Sequence, residues 1–201
     1  MAQPHHTVLI DHYLPQRVSS AVLQNALVVS AFALLTAALA QVRIPLGFTP
    51  VPVTGQTLAV LLSGAVLGAK RGAASQALYL VLGMIGLPFY SNGTGGWTVA
   101  TGPTMGYLVG FIVAAAIVGR LAEHRHDRSV LSSISAMTLG SMLIYVFGAS
   151  WLAISLNIPL ASGDTNAISL GVAPFLIGDF VKMCLAGIAT ASTWRLIHRN
   201  K

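Results

Sequence analysis

Charge is scarce in this chain. Asp, Glu, Lys and Arg together make up 8% of its 201 residues, against roughly 25% in an average soluble domain. Hydrophobic residues reach 55%, too many to hide inside a fold of this size. The apolar surface must face something other than water, and lipid is the simple answer. Cysteine is almost missing: the single Cys184 excludes an intrachain disulfide. Its place between Met183 and Leu185 in an apolar run marks it as a small buried hydrophobe. A nucleotide-binding G-x-x-x-x-G-K-[ST] pattern is absent too. The nearest stretch, Gly64 to Arg71, has the wrong spacing and no hydroxyl after Lys70, which excludes ATP hydrolysis through such a loop. All six histidines (His5, His6, His12, His124, His126 and His198) lie outside the apolar runs. No metal site or proton relay is therefore expected within the membrane, and the pair His124 and His126 fits a solvated loop.

What is present is a series of apolar runs. A bilayer span needs about 20 mostly apolar residues, fewer when a short helix is packed inside a bundle. The first run is Ala21 to Ala40; it follows a polar first twenty residues (His5, His6, Asp11, His12, Arg17) and reads as a retained anchor. A Pro-rich loop, Gln41 to Thr57, follows. Two short runs, Leu58 to Ala69 and Ala73 to Leu87, flank Lys70-Arg71-Gly72 and suggest a helical hairpin around a basic turn. An uncharged Gly-rich loop, Phe89 to Thr104, leads to the run Met105 to Leu121. The polar block Glu123 to Arg128 precedes a fifth run, Leu131 to Ile158. A sixth starts near Pro174 and ends near Ile197, before a basic tail. No internal repeat, long linker or low-complexity tract interrupts the chain. Residues 1–201 are expected to form one domain, an all-α membrane protein built as a compact bundle of about six transmembrane helices.

The net charge of +6 does not point to nucleic acid, because the basic residues sit in short clusters and form no continuous face. With the N-terminus inside, Arg17, Lys70, Arg71, Arg120, Arg125, Arg128, Arg195, Arg199 and Lys201 all fall on the inner side. Only Arg43 falls in an outer loop. This is a strong positive-inside bias, which puts both termini in the cytoplasm and makes lipid headgroups the partner of the basic clusters.

The remaining basic residue, Lys182, lies in the sixth run, three positions after Asp179. On a helix the two share a face and can reach one another or a common ligand. A lone charge at the bilayer centre costs about 2.5–3.5 kcal/mol. Mutual pairing alone leaves much of the burial cost of both groups unrepaid. A polar cavity holding a ligand would account for the pair better than a self-neutralising bridge. In the Gly-rich loop, Gly93, Gly95 and Gly96 permit close backbone approach, while Tyr90, Asn92 and Trp97 offer aromatic surface and an amide. A plain turn is the alternative, and Trp97 and Trp151 also suit interfacial anchors. The first outer loop adds Phe48, Thr49, Thr54 and Gln56. Along the first run, Ala26, Ser30, Ala33, Ala37 and Ala40 draw a stripe of small residues. Such a stripe admits another helix closely, in this chain or in a partner. No nucleophile–base pair or carboxylate cluster stands at helical spacing in the runs, so no enzyme is expected.

The stretches TPVPVTGQTLAVLLSGAVLGAKRGAASQALYLVLGMIGLPFY (Thr49 to Tyr90), GPTMGYLVGF (Gly102 to Phe111) and GDFVK (Gly178 to Lys182) resemble the BioY family. Its members are biotin-binding S components of energy-coupling factor (ECF) transporters. The resemblance runs over nearly the whole chain, with its blocks in the family's order. It departs at Met105, where a small residue is common, and at Gly55, where Leu is usual.

The resemblance implies a membrane-embedded subunit of a bacterial plasma membrane that captures biotin from outside and needs no cofactor. Its partners would be a transmembrane coupling protein and ABC-type ATPases. It further implies a biotin site at Asp179, Lys182 and the loop Asn92, with Tyr90 and Gln56 beside it, and a docking surface for the coupling protein at Ala33-x-x-x-Ala37. Asp179 or Asn92 would accept the ureido N–H groups of biotin. Lys182, as the basic residue within the spans, would meet its carboxylate. A rival reading from the residues is an ion-coupled carrier of a small anionic solute, with Asp179 as the ion site.

Overall fold

The computed structural model describes residues 8–13 and 20–199. Two of the basic residues used to orient the chain, Arg17 and Lys201, lie outside that range, as do His5 and His6. A short helix α1 (Leu9–Tyr13) is followed by α2 (Ala21–Gln41). A small hairpin of β1 (Arg43–Ile44) and β2 (Val53–Thr54) leads into α3 (Gln56–Leu67) and α4 (Ala69–Met84). After the short α5 (Trp97–Ala100) come α6 (Met105–Glu123), α7 (Val130–Leu156), another short helix α8 (Ala167–Gly171) and α9 (Leu176–Arg199).

Local chemistry sets these boundaries. The Ser20 hydroxyl accepts from the Leu23 amide at the start of α2, and Ser129 does the same for Ser132 at the start of α7. Both are N-caps that satisfy one of the orphan amides of a first turn. Asn157 ends α7 in the left-handed conformation (φ 52°), which Asn adopts more readily than most residues. Between α3 and α4 the break falls on Gly68, at φ +83°. Lys70 and Arg71, expected to form the turn itself, instead lie in the first helical turn of α4.

Among the described residues, four segments are long and apolar enough to cross a membrane: α2, α6, α7 and residues 167–199. At about 1.5 Å per residue, α3 and α4 reach only about 18 and 24 Å, short of a hydrocarbon core of about 30 Å. Helix α6 occupies the middle, with α3, α4 and α7 packed on it; α2 lies against α4 and α3, and α9 against α7 and α3. Leu27, Leu34, Ile154, Ile177 and Leu185 are exposed on the outer helices, the pattern of a surface solvated by lipid rather than water.

Small residues let the inner helices touch. A Cβ added at Gly64 would come within 2.6 Å of the Ala115 carbonyl oxygen, and one at Gly119 would run into the backbone of Gly68 and Ala69. In lipid, where burial of apolar surface gives little drive, such close packing holds helices together. Gly119→Leu should therefore prevent stable assembly. The expected result is loss of the monodisperse peak in detergent size-exclusion chromatography; a native-like peak and melting temperature would contradict this packing.

The stripe on α2 is buried along its second half, at Ala33, Ala37 and Ala40, while Ala26 is exposed and Ser30 half-buried. Ala33 is 1% and Ala37 8% exposed, and between them Thr36 exchanges hydrogen bonds with Gln76 of α4 at 3.3 and 3.2 Å. The Ala33 and Ala37 side chains, where a docking surface is expected, are thus covered by the chain's own helices, with Leu34, Leu35 and Ala38 exposed beside them. Spacing of small residues reports close approach, and here the close neighbour is internal.

Candidate functional site

The ends of α2, α4 and α7 and the starts of α3, α6 and α9 meet at one end of the bundle, under the β1–β2 hairpin and the loop 88–104. Between them lies a cavity of about 280 Å³, close to the lower end of the roughly 300–1,000 Å³ range of small-molecule sites. Its apolar wall includes Val51, Leu108, Phe111, Ile144 and Phe175; Tyr79, Tyr90, Tyr107 and Tyr145 add aromatic surface.

All five residues expected to touch a ligand line this cavity: Asp179, Lys182, Asn92, Tyr90 and Gln56. Asp179 and Lys182 stand on adjacent turns of α9 and form an ion pair at 2.7 Å, with side chains only 8% and 17% exposed. The Asp179 carboxylate also accepts from the Thr57 hydroxyl at 2.9 Å and the Tyr145 hydroxyl at 2.5 Å. The ammonium of Lys182 donates to the Thr54 carbonyl at 2.6 Å, to Asp179 at 2.7 Å and to Thr57 at 3.1 Å. An ammonium has three hydrogens, and these partners use all of them. A carboxylate offers about four acceptor positions, and here three are taken.

The other expected residues differ in how free they are. Gln56 is braced at both ends: its carbonyl accepts from Thr54 at 2.8 Å, and its amide donates to Tyr79 at 2.6 Å. Tyr90 donates its hydroxyl to the Leu80 carbonyl at 2.7 Å, so only its ring is offered to the cavity. Burial pushes its phenol up to about 12, which keeps it neutral. Asn92 sits in a single turn, Ser91–Gly93, at φ 68°. That turn is tied to the end of α2 by Gln41, whose amide donates to the Tyr90 carbonyl at 3.1 Å and accepts from the Gly93 amide at 2.8 Å.

Several residues of the site carried no signal in the sequence. Tyr145, Thr57 and Gln41 are fixed by contacts between distant segments. Tyr107 lies against Gly148 and donates to the Gly171 carbonyl at 2.7 Å. Arg43, which stood out only as the one outer cation, lines the cavity through its pairing with Thr54. Trp97 is 66% exposed and outside the cavity lining, so it does not supply an aromatic wall. No group of three or more metal-ligating side chains occurs among the described residues.

These features define a membrane-type helical bundle with a small-molecule cavity at one end. The model of the BioY family matches residues 13–199, and the chain belongs to that family. It is 40% identical over 152 residues to the biotin transporter BioY of Rhizobium etli, covering 72% of this chain and 79% of that protein. It is 37% identical over 175 residues to the biotin transporter BioY of Rhodobacter capsulatus, covering 82% of this chain and 90% of the relative. Its fold matches a crystal structure of the S-component for biotin from an ECF-type ABC transporter with a TM-score of 0.77. The two share 27% identity over 87% of this chain and 93% of the other.

Proposed function

We propose that this chain takes up biotin as the substrate-binding S component of an ECF-type ABC transporter. It captures the vitamin in the cavity and relies on a membrane coupling protein and ABC ATPases for energy. The observation that carries this reading is the Asp179 carboxylate: buried, charge-balanced by Lys182, with three of about four acceptor positions taken, and lining a largely apolar cavity. A ring urea has N–H donors for such a group, and its apolar remainder suits the wall. Family membership and the likeness to an S-component for biotin support the same ligand.

The chain is read as six membrane passes in a bacterial plasma membrane, α3 and α4 being the short ones, with both termini in the cytoplasm. Lys70, Arg71, Arg120, Arg125, Arg128, Arg195 and Arg199 sit at helix ends away from the cavity. This supports an outward-facing site under the positive-inside rule. Against an ion-coupled carrier stands the Lys182 ammonium, 2.7 Å from Asp179, where a coupling cation would have to bind. Equilibrium binding of labelled biotin to the purified chain in detergent tests the proposal. Saturable binding competed by unlabelled biotin is the expected result; none by monodisperse, folded protein would remove biotin as the ligand.

A further inference from the structure

We infer that Arg43, rather than Lys182, receives the carboxylate of the bound ligand. The inference rests on the biotin reading above and assigns the two ends of the molecule within the site. Lys182 has no hydrogen left to give: Thr54, Thr57 and Asp179 accept all three. A carboxylate has only acceptors, so it reaches Lys182 only by displacing one of those bonds, and the Asp179 charge stands 2.7 Å away to repel it.

Arg43 is in the opposite condition. Its half-buried side chain lines the cavity, yet it forms no hydrogen bond or ion pair among the described residues. A guanidinium has five N–H donors in a planar fork that matches a carboxylate bidentately. Its position is also set by the fold: Arg43 pairs with Thr54 in the hairpin, and Thr54 is the residue whose carbonyl holds Lys182. The two cations thus flank one strand and perform different tasks. Charge agrees with this division. The charged residues lining the cavity are Arg43, Lys182 and Asp179. The last two neutralise each other and leave one positive charge for a monoanion. Lys182 becomes a positioning residue that pairs with Asp179 and orients its carboxylate toward ligand N–H groups.

The test compares biotin with its neutral primary amide, by calorimetric titration of the native chain and of Arg43→Gln, Arg43→Lys and Lys182→Met. The native chain should prefer biotin over the amide by about tenfold or more, the worth of a charge-assisted hydrogen-bonded pair. Arg43→Gln should erase that preference, and Arg43→Lys should restore part of it. Lys182→Met should weaken both ligands alike and keep the preference. Equal affinity of the native chain for the two ligands would overturn the assignment without any variant. So would a preference that survives Arg43→Gln and vanishes in Lys182→Met. If the native, folded chain binds neither ligand, the biotin reading itself fails and this assignment goes with it.

Discussion

Asp179→Asn should reduce biotin affinity by about ten- to a hundredfold and lower the stability of the empty chain as well. The Asp179 side chain is 8% exposed, and its carboxylate accepts from Lys182, Thr57 and Tyr145. An amide has one acceptor oxygen and must turn its NH2 toward groups that are themselves donors. Lys182 then remains buried beside a neutral group. Removing one partner of a buried pair costs about 3–5 kcal/mol. The ligand also loses a charged acceptor, worth about 1.5–3 kcal/mol, or roughly ten- to a hundredfold in affinity. The two losses separate in the double variant Asp179→Asn with Lys182→Met. Thermal unfolding should show the double variant more stable than the single one, because the uncompensated charge is gone. Biotin affinity should stay reduced in both. A single variant as stable as the native chain, with affinity within about threefold of it, would mean the pair is a surface-like bridge with no part in recognition.

The contacts at Asp179 show how far the sequence could be read. The pair itself was legible, since two ionisable residues at helical spacing inside an apolar run have few satisfactory environments in lipid. Its supports were not. Tyr145 stands within a 27-residue helix whose periodicity gives no reason to single out one tyrosine. Thr57 is more than a hundred residues away in the chain, and nothing local announces that its hydroxyl meets α9.

The order of apolar runs could be followed closely, and α2 begins at Ala21 as its run does. Where two short runs meet, charge misled: Lys70 and Arg71 look like a turn because charge usually ends a span. Yet the backbone reverses on Gly68, whose φ of +83° other residues adopt only with strain. The stripe at Ala33 and Ala37 marked a close contact, but small residues favour close approach equally within and between chains, so spacing alone does not name the neighbour. Arg43 shows the same limit from the other side. It was visible as an exception to a charge rule, but strand pairing with Thr54 is what carries it to the cavity.

Gly148→Val should close the site from behind while leaving the bundle assembled. Gly148 is buried in α7, and a Cβ built on it would land on the ring of Tyr107. The phenol cannot simply retreat toward α8, because its hydroxyl already reaches the backbone there and donates to the Gly171 carbonyl at 2.7 Å. The open direction is the cavity that Tyr107 already lines. Overpacking of this kind costs about 1–3 kcal/mol in stability. In a cavity of about 280 Å³, a displaced aromatic ring leaves too little room for a bicyclic ligand, so biotin affinity should fall by more than the stability loss alone would bring. A second change distinguishes blockage from general damage. With Tyr107→Leu added, the valine has space, the ring is gone, and binding should recover to within about tenfold of the native chain, allowing for the lost hydrogen bond to Gly171. Gly148→Val with undiminished affinity would show that the ring yields in another direction. Loss of binding that Tyr107→Leu fails to reverse would place the damage in helix packing rather than in the cavity.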